Sequence, residues 1–376
     1  MAKLLFVVTE DWYFYTHRLS LAKAIHDAGY DVIVATRISH YHKAIEKLGI
    51  RIIPLKKIQR SSFNPIREWG AFWELLSIYR LERPDITHHV ALKPVIYGSI
   101  AARLAGVPAI VNALGGLGFI FSSQKRLACI LRPVLLFLFQ LIFTRANSRL
   151  ILQNSNDVEL LVNKAWLCEK NLVLIPGMGY DPEKFYVSKI TTETPIAMLV
   201  SRMIWDKGVG DFVQAAKSLK AEGLSARFVL VGMPDPENPS SITKKQLKKW
   251  DKEGDIEWWG HRSDMPNVLA QSWVVCLPTS YGEGVPKILI EAMASARPII
   301  TTDMPGCREL VRSNKNGLLI SPRDSIALTL ALKKLLLDLP LCEKMGIQGR
   351  KIAETDYTLA RVVKDTLSIY QKLLRK

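Results

Sequence analysis

Short apolar runs alternate with longer amphipathic stretches along nearly the whole chain, a rhythm that predicts strand and helix in turn. Leu4 to Thr9 reads as a buried strand. Leu19 to His26 reads as a helix that turns Leu19, Ala22 and Ile25 inward and stops at Gly29, and Asp31 to Ala35 as the next strand. Further strands are predicted at Ile50–Leu55, Ala109–Asn112, Leu150–Gln153 and Leu172–Ile175, with helices over Phe63–Tyr79 and Ile96–Leu104. Pro176-Gly177-Met178-Gly179-Tyr180-Asp181-Pro182 interrupts the series, and polar residues continue to Thr194. A second series follows, with strands at Ile196–Val200, Arg227–Gly232, Ile256–Trp259, Trp273–Leu277, Pro298–Thr301 and Leu318–Ser321. Helices are predicted over Ile242–Trp250, from Pro286 to just before Pro298, over Ser325–Leu337 and over Cys342–Ala353. The last stretch, Thr355 to Lys376, sets Leu359, Val362, Val363, Leu367, Ile369 and Leu373 on one helical face. The pattern predicts an α/β chain with two parallel sheets. Domains are placed at residues 1–180 and 195–354, joined by a linker at 181–194 and followed by a terminal helix at 355–376.

In such sheets ligands bind beyond the carboxyl ends of strands, so the loops there carry the candidate chemistry. After the first strand, Thr9, Glu10, Asp11, Tyr13, Tyr15, His17 and Arg18 form a polar loop without G-x-G-x-x-G. Pro84-Asp85-Ile86-Thr87-His88-His89, with Lys93 beyond it, reads as another loop, and Ala113 to Gly118 as a glycine turn. Ser201 to Gly208 offers Arg202, whose fork fits phosphate oxygens, and Lys207, a mobile positive charge. From Cys276 to Glu309 a strand breaks at Pro278, Tyr281, Gly282 and Gly284, and a helix opens at Pro286. Backbone N–H groups at such a helix start can face a phosphate. Glu283 and Glu291 bracket it and are suited to accept hydrogen bonds from sugar hydroxyls. Donors for a diphosphate beside acceptors for sugars predict a nucleotide-sugar site.

Glu283 and Glu291, with seven residues between them, stand among Gly284, Pro286, Ala292, Arg297, Pro298, Thr302, Gly306 and Glu309. This pattern resembles the signature of the retaining glycosyltransferases of family GT4, which have the GT-B fold: two Rossmann-like domains facing across a cleft, with a C-terminal helix crossing back to the first. Family members usually carry Gly where this chain has Ala296, so a slightly remodelled helix-to-strand turn is expected. The resemblance implies that Arg202 and Lys207 bind the donor diphosphate. Glu283, with backbone N–H groups near Gly284 and Val285, would hold the donor sugar, and Glu291 the ribose. The catalytic set is then Glu283, Arg202, Lys207 and His88. Asp85 and His88 match the Asp-x-x-His opening of bacterial surface-polysaccharide members, which puts His88 and His89 on the acceptor side together with Tyr15, His17 and Lys93. Retention in this class is described as a front-face reaction in which the leaving phosphate helps to deprotonate the acceptor.

Charge and composition sharpen this picture. The net charge is +16, and between Arg37 and Arg149 17 Lys and Arg stand against 5 Asp and Glu. Such a bias suits an anionic membrane surface, a phosphate-bearing acceptor or nucleic acid. Trp69, Phe72 and Trp73 beside Lys56, Lys57, Arg60 and Arg67 fit either core packing or an interface, as does the apolar middle of Arg126–Phe143, which Pro133 is expected to bend or interrupt. No apolar run reaches the roughly 18–20 residues that span a bilayer, and no cleavable signal is evident. The five scattered cysteines read as reduced and cytosolic. No Asp-x-Asp pair offers a metal seat, so no cofactor and no metal are expected. The working expectation is a cytoplasmic enzyme, peripheral at the inner face of the membrane, that moves a sugar from a nucleotide-sugar onto a polyprenyl-diphosphate-linked saccharide. UDP-N-acetylhexosamine is the leading donor. A nucleotide-sugar epimerase of the same fold, a two-carboxylate glycoside hydrolase and a noncatalytic RNA- or membrane-binding protein are the alternatives, with nucleic acid the disfavoured partner.

Overall fold

The computed structural model describes all residues except 61–63, 118–120, 122–125, 166, 191–193, 313 and 376, and the side chains of 126–128 and 165. Phe63, Gly118 and the side chain of Arg126 therefore lie outside the described residues. The chain divides into two compact units, Met1–Met178 with Leu359–Lys376, and Gly179–Thr358.

The first unit is built on seven parallel strands: β1 (Lys3–Glu10), β2 (Asp31–Arg37), β3 (Arg51–Pro54), β4 (Ile86–Val90), β5 (Ala109–Ala113), β6 (Ser148–Leu152) and β7 (Leu172–Leu174). Their order is β3-β2-β1-β4-β5-β6-β7, so the chain reverses its direction of winding between β1 and β4. Along β1, Leu4, Phe6 and Val8 pack on one face with Val362, Ile369, Tyr370 and Leu373 of the Leu359–Leu374 helix. Leu5 and Val7 pack on the other with Leu75, Leu76 and Tyr79 of the Pro65–Glu82 helix. Both faces are covered, and for that reason the strand reads as a continuous apolar run.

Three local expectations are corrected in this unit. The polar stretch after β1 is not a loop. β1 extends to Glu10 and a helix runs Asp11–His17, anchored by the buried Asp11 carboxylate, which accepts hydrogen bonds from Ser39 N at 2.6 Å, Tyr41 N at 3.2 Å and the Ser39 hydroxyl. The stretch Ile86–Val90 is a strand, every residue of it buried. Pro133 does not interrupt the Arg126–Phe143 helix, which continues through it. Pro133 sits on the exposed side, where water can take the carbonyl its ring leaves unpaired.

The second unit carries six parallel strands: β8 (Ile196–Val200), β9 (Arg227–Val231), β10 (Glu257–Gly260), β11 (Val274–Leu277), β12 (Ile299–Thr302) and β13 (Gly317–Ile320). Their order, β10-β9-β8-β11-β12-β13, places the reversal between β8 and β11. Part of the stretch read as a linker belongs to this unit. Phe185 is buried in its core, and Arg297 donates to Ser188 O at 3.0 Å; Gly179 and Tyr180, placed at the end of the first domain, also belong here, Tyr180 pairing with Thr358. The turn after the Lys287–Ala294 helix is built on a left-handed residue. Ala296 takes φ 54°, the left-handed conformation that glycine adopts without cost, and Arg297 N still donates to Ala292 O at 2.9 Å.

Candidate functional site in the second unit

β8 and β11 are hydrogen-bonded neighbours on either side of the reversal, and the loops beyond their carboxyl ends converge where ligands bind in this kind of sheet. The convergence depends on two glycines. Gly208, at φ 73°, caps the Val209–Ala221 helix, and a Cβ there would stand 2.1 Å from Pro278 O in the β11 loop. Gly306, at φ 79°, lies against the backbone carbonyls of Glu283 and Gly284 so closely that a Cβ would overlap Gly284 O. Glu283 N donates to Pro305 O at 3.2 Å, which fixes the loop from the other side.

Lys207, from the β8 loop, donates its ammonium to Glu283 Oε1 of the β11 loop, and both side chains are nearly buried. Thr279 Oγ1 donates to the same carboxylate oxygen at 3.1 Å, and Lys207 Nζ lies 5.3 Å from the centroid of the Tyr281 ring. Arg202 Nη1 donates to Asp235 Oδ2 at 2.5 Å. Burial works against the positive charge of Lys207, but Glu283 and Tyr281 outweigh it and hold its pKa above the ordinary lysine value. Arg202 behaves alike: Tyr281, Asp235 and Glu283 overcome the cost of burial. Arg202, Lys207, Tyr281 and Glu283 thus form one electrostatic cluster. Glu291 lies in the second turn of the Lys287–Ala294 helix, buried and paired with Lys287 at 3.1 Å; burial raises its pKa and Lys287 opposes the rise. Val285 is buried in the core beside Leu289 and Ile290.

Sequence patterns alone did not single out Tyr281, Asp235 or Thr279 as site residues. Tyr281 was visible only as a loop break. Asp235 is 33 residues from its partner. Arg297, in contrast, is a signature residue that stands apart from this cluster. It is 2% exposed and donates to the carbonyls of Leu269, Ala270 and Ser188 and to the Ser188 hydroxyl, a structural clamp. Among the described residues no group of three or more His, Cys, Asp or Glu could hold a metal ion.

Residues 181–352 match the family described as glycosyl transferases group 1, and residues 3–155 match glycosyl transferase 4-like. The chain belongs to the group 1, GT4-like glycosyltransferases. It is 28% identical to the N,N'-diacetylbacillosaminyl-diphospho-undecaprenol alpha-1,3-N-acetylgalactosaminyltransferase of Campylobacter jejuni, over 96% of each chain. It is 30% identical to the UDP-Gal:alpha-D-GlcNAc-diphosphoundecaprenol alpha-1,3-galactosyltransferase of Escherichia coli, over 66% of each. Solved glycosyltransferases share the fold. Sucrose-phosphate synthase from Thermosynechococcus elongatus superimposes with a TM-score of 0.81 at 18% identity, over 100% of both chains. Anabaena HepE in complex with UDP does so with a TM-score of 0.78 at 17% identity, over 99% of this chain and 100% of that one.

In this glycosyltransferase the residues expected on the acceptor side lie in the first unit and do not form one cluster. His88 and His89 are core residues of β4 with no exposure, not loop residues. The correction has a packing reason: Gly98 approaches so closely that a Cβ there would stand 2.7 Å from the His89 ring. Both nitrogens of His89 are satisfied, Nδ1 by Asn112 Oδ1 at 2.8 Å and Nε2 by the Tyr79 hydroxyl at 2.9 Å. Burial lowers its pKa to about 4, against a small opposing effect of Asn112. His88 Nδ1 lies 2.6 Å from the Tyr370 hydroxyl, and its ring stacks on Phe6 at 4.8 Å. Lys93 is tied to Glu68 at 2.6 Å and to Gln59 O at 2.8 Å. Tyr15 is exposed and packs on Tyr41 at 4.7 Å, and His17 packs on Tyr13 at 4.4 Å.

Proposed function

We propose that this glycosyltransferase moves a sugar, with N-acetylhexosamine from a UDP-sugar as the leading donor, onto a hydroxyl of a polyprenyl-diphosphate-linked saccharide in surface polysaccharide or glycan synthesis, with retention at the anomeric carbon. The observation that carries the donor half is the cluster of Arg202 and Lys207 beside Glu283 at the reversal of the second sheet. The acceptor half draws on the two relatives above, both named for diphosphoundecaprenol-linked saccharides.

Each cation is held by a carboxylate, Lys207 by Glu283 and Arg202 by Asp235. Donor binding exchanges these partners. The diphosphate takes the ammonium and the guanidinium fork, and Glu283 turns to the sugar hydroxyls. Both cations stay charged throughout, so they stabilise the departing nucleotide diphosphate as its charge grows, without a metal. Glu291 accepts from the ribose.

The reading extends to a peripheral place on the cytoplasmic face of an anionic membrane. No helix among the described residues is long and apolar enough to cross a bilayer. The Arg126–Phe143 helix instead leaves Ile130, Val134, Phe137 and Leu141 exposed at spacings of four, three and four residues, one stripe along its outer side. On the Pro65–Glu82 helix, Leu76 and Tyr79 face the core while Ile66, Trp69 and Trp73 face solvent. Apolar and aromatic side chains on a strongly basic unit are what a surface of anionic lipid attracts.

The test is turnover with a panel of nucleotide sugars, with and without membrane extract that contains lipid-linked acceptors, read by mass spectrometry. Nucleotide release coupled to a one-sugar gain in a lipid, undiminished by chelator, is the expected result. Glu291→Ala should raise KM for the donor about 10–100-fold, the worth of a hydrogen bond to a charged group. Epimerised sugar without a lipid product, or no turnover, rejects the reading.

A further inference from the structure

Arg18 separates the Asp11–His17 helix from the Leu19–Asp27 helix and folds its side chain inward, leaving the residue 4% exposed. Its Nε and Nη2 are sealed from water with no hydrogen-bond partner. The groups that act on its charge are the phenols of Tyr13 and Tyr370, with no carboxylate among them. Asp11, the nearest acid in sequence, is committed to Ser39 and Tyr41. A cation buried without a counter-charge is strongly destabilising, and a fold that keeps one has a use for it.

His88 makes the second half of the feature. Its Nε2 is also buried without a partner. Burial first, then the nearby Arg18, holds its pKa well below the ordinary value, so the ring is neutral. Nδ1 is paired with the Tyr370 hydroxyl at 2.6 Å, and Nε2 is the ring nitrogen left over. Arg18 thus presents buried N–H donors near a neutral imidazole whose Nε2 has no partner. The positive charge of the guanidinium makes an anionic oxygen the ligand it favours most. His88 is the middle residue of β4, its ring stacked against Phe6 of the neighbouring β1, the two strands between which the first sheet reverses.

We propose that Arg18 and His88 form a phosphate seat in the first unit, one that takes an oxygen of a substrate diphosphate. The seat rests on the reading that the substrates carry diphosphates. Tyr13, half exposed and packed on His17, is one of the two phenols that act on the guanidinium. The ligand's oxygens come from a lipid diphosphate or from the donor nucleotide, and the experiment separates the two.

Inorganic diphosphate is titrated by calorimetry into the full chain bearing Arg202→Ala and Lys207→Ala, which lacks the donor clamp. A diphosphate site should survive in this background and weaken at least tenfold when Arg18→Met is added, with Arg18→Lys intermediate. Ligand-free Arg18→Met should also unfold at a higher temperature than its parent, because it removes a buried charge without a partner. No diphosphate binding in the clamp-less chain, or binding that Arg18→Met leaves unchanged, overturns the proposal. So does a lower unfolding temperature for Arg18→Met, which makes Arg18 a structural residue. If the clamp-less and unmodified chains bind diphosphate alike, the donor clamp falls and the Arg18 seat stands. Displacement by geranyl diphosphate alone assigns the lipid, and displacement by UDP alone assigns the nucleotide.

Discussion

Lys207 and Glu283, 76 residues apart, form an almost buried ion pair that joins the loops beyond two neighbouring strands. The pair keeps the ammonium charged where water is scarce and leaves the carboxylate aimed at the same space.

Breaking this pair from one side should destabilise the second unit. Glu283→Leu leaves the ammonium without its partner and should cost about 3–5 kcal/mol, most of which Lys207→Met in the same chain restores. Urea unfolding of the two single variants and the double one measures this directly. The folded pKa of Lys207 is raised, so its stabilisation is complete below the ordinary lysine value of 10.5 and is lost as pH climbs through the folded value. A double variant as pH-sensitive as the unmodified chain above pH 10.5 removes the pair as the cause.

Acid should act on the first unit through its buried histidines. His88 and His89 are both held neutral, with folded pKa values depressed below 6.5, that of His89 to about 4. Their contribution is present above 6.5 and is lost as pH falls, because the unfolded chain takes up protons that the folded one refuses. For His89 alone the loss by pH 4 is about 3 kcal/mol. Urea midpoints between pH 7 and 4 should fall accordingly, and less steeply in His89→Asn. An equal slope in that variant assigns the acid sensitivity elsewhere.

Ala296→Gly should stabilise the chain. The left-handed φ of 54° costs an alanine about 1–2 kcal/mol, partly offset by the greater freedom of an unfolded glycine and the loss of a buried methyl. A net gain of about 0.5–1 kcal/mol is expected from chemical denaturation. A loss shows that the methyl group, at a residue only 6% exposed, packs better than the turn is strained.

Phe137→Asp tests the outward stripe of the Arg126–Phe143 helix. The residue is 61% exposed, so folding should be unchanged. Cosedimentation with vesicles containing anionic lipid should fall several-fold, since a carboxylate replaces an apolar ring on a face that meets negatively charged headgroups. Undiminished binding moves the membrane contact to another surface.

Much of the donor site is legible because its residues are close in sequence. Arg202 and Lys207 share one loop, and Glu283, Gly284 and Glu291 span a loop and the helix it opens. Their nearness in space follows from strand order, which places β8 beside β11. Tyr281, Thr279 and Asp235 were not legible as partners because their roles depend on which side chains the other loop brings opposite them. The histidines failed for a different reason. Polar Thr87, His88 and His89 interrupt the apolar pattern, and a run of polar residues reads as a loop until Tyr79 and Asn112 satisfy His89 from 10 and 23 residues away and Tyr370 pairs with His88 Nδ1 from 282.

The sequence by itself determined the two alternating series of strands and helices, the family signature and the basic bias of the first half, because each is a local or summed property of the chain. Only the tertiary structure decided which polar groups have partners. It buried His89 with both nitrogens satisfied, paired Lys207 with Glu283, made Arg297 a clamp and left Arg18 with no carboxylate among the described groups that act on its charge. Burial and partnership are relations between distant residues, and the physical chemistry of a charged or titratable side chain is set by them.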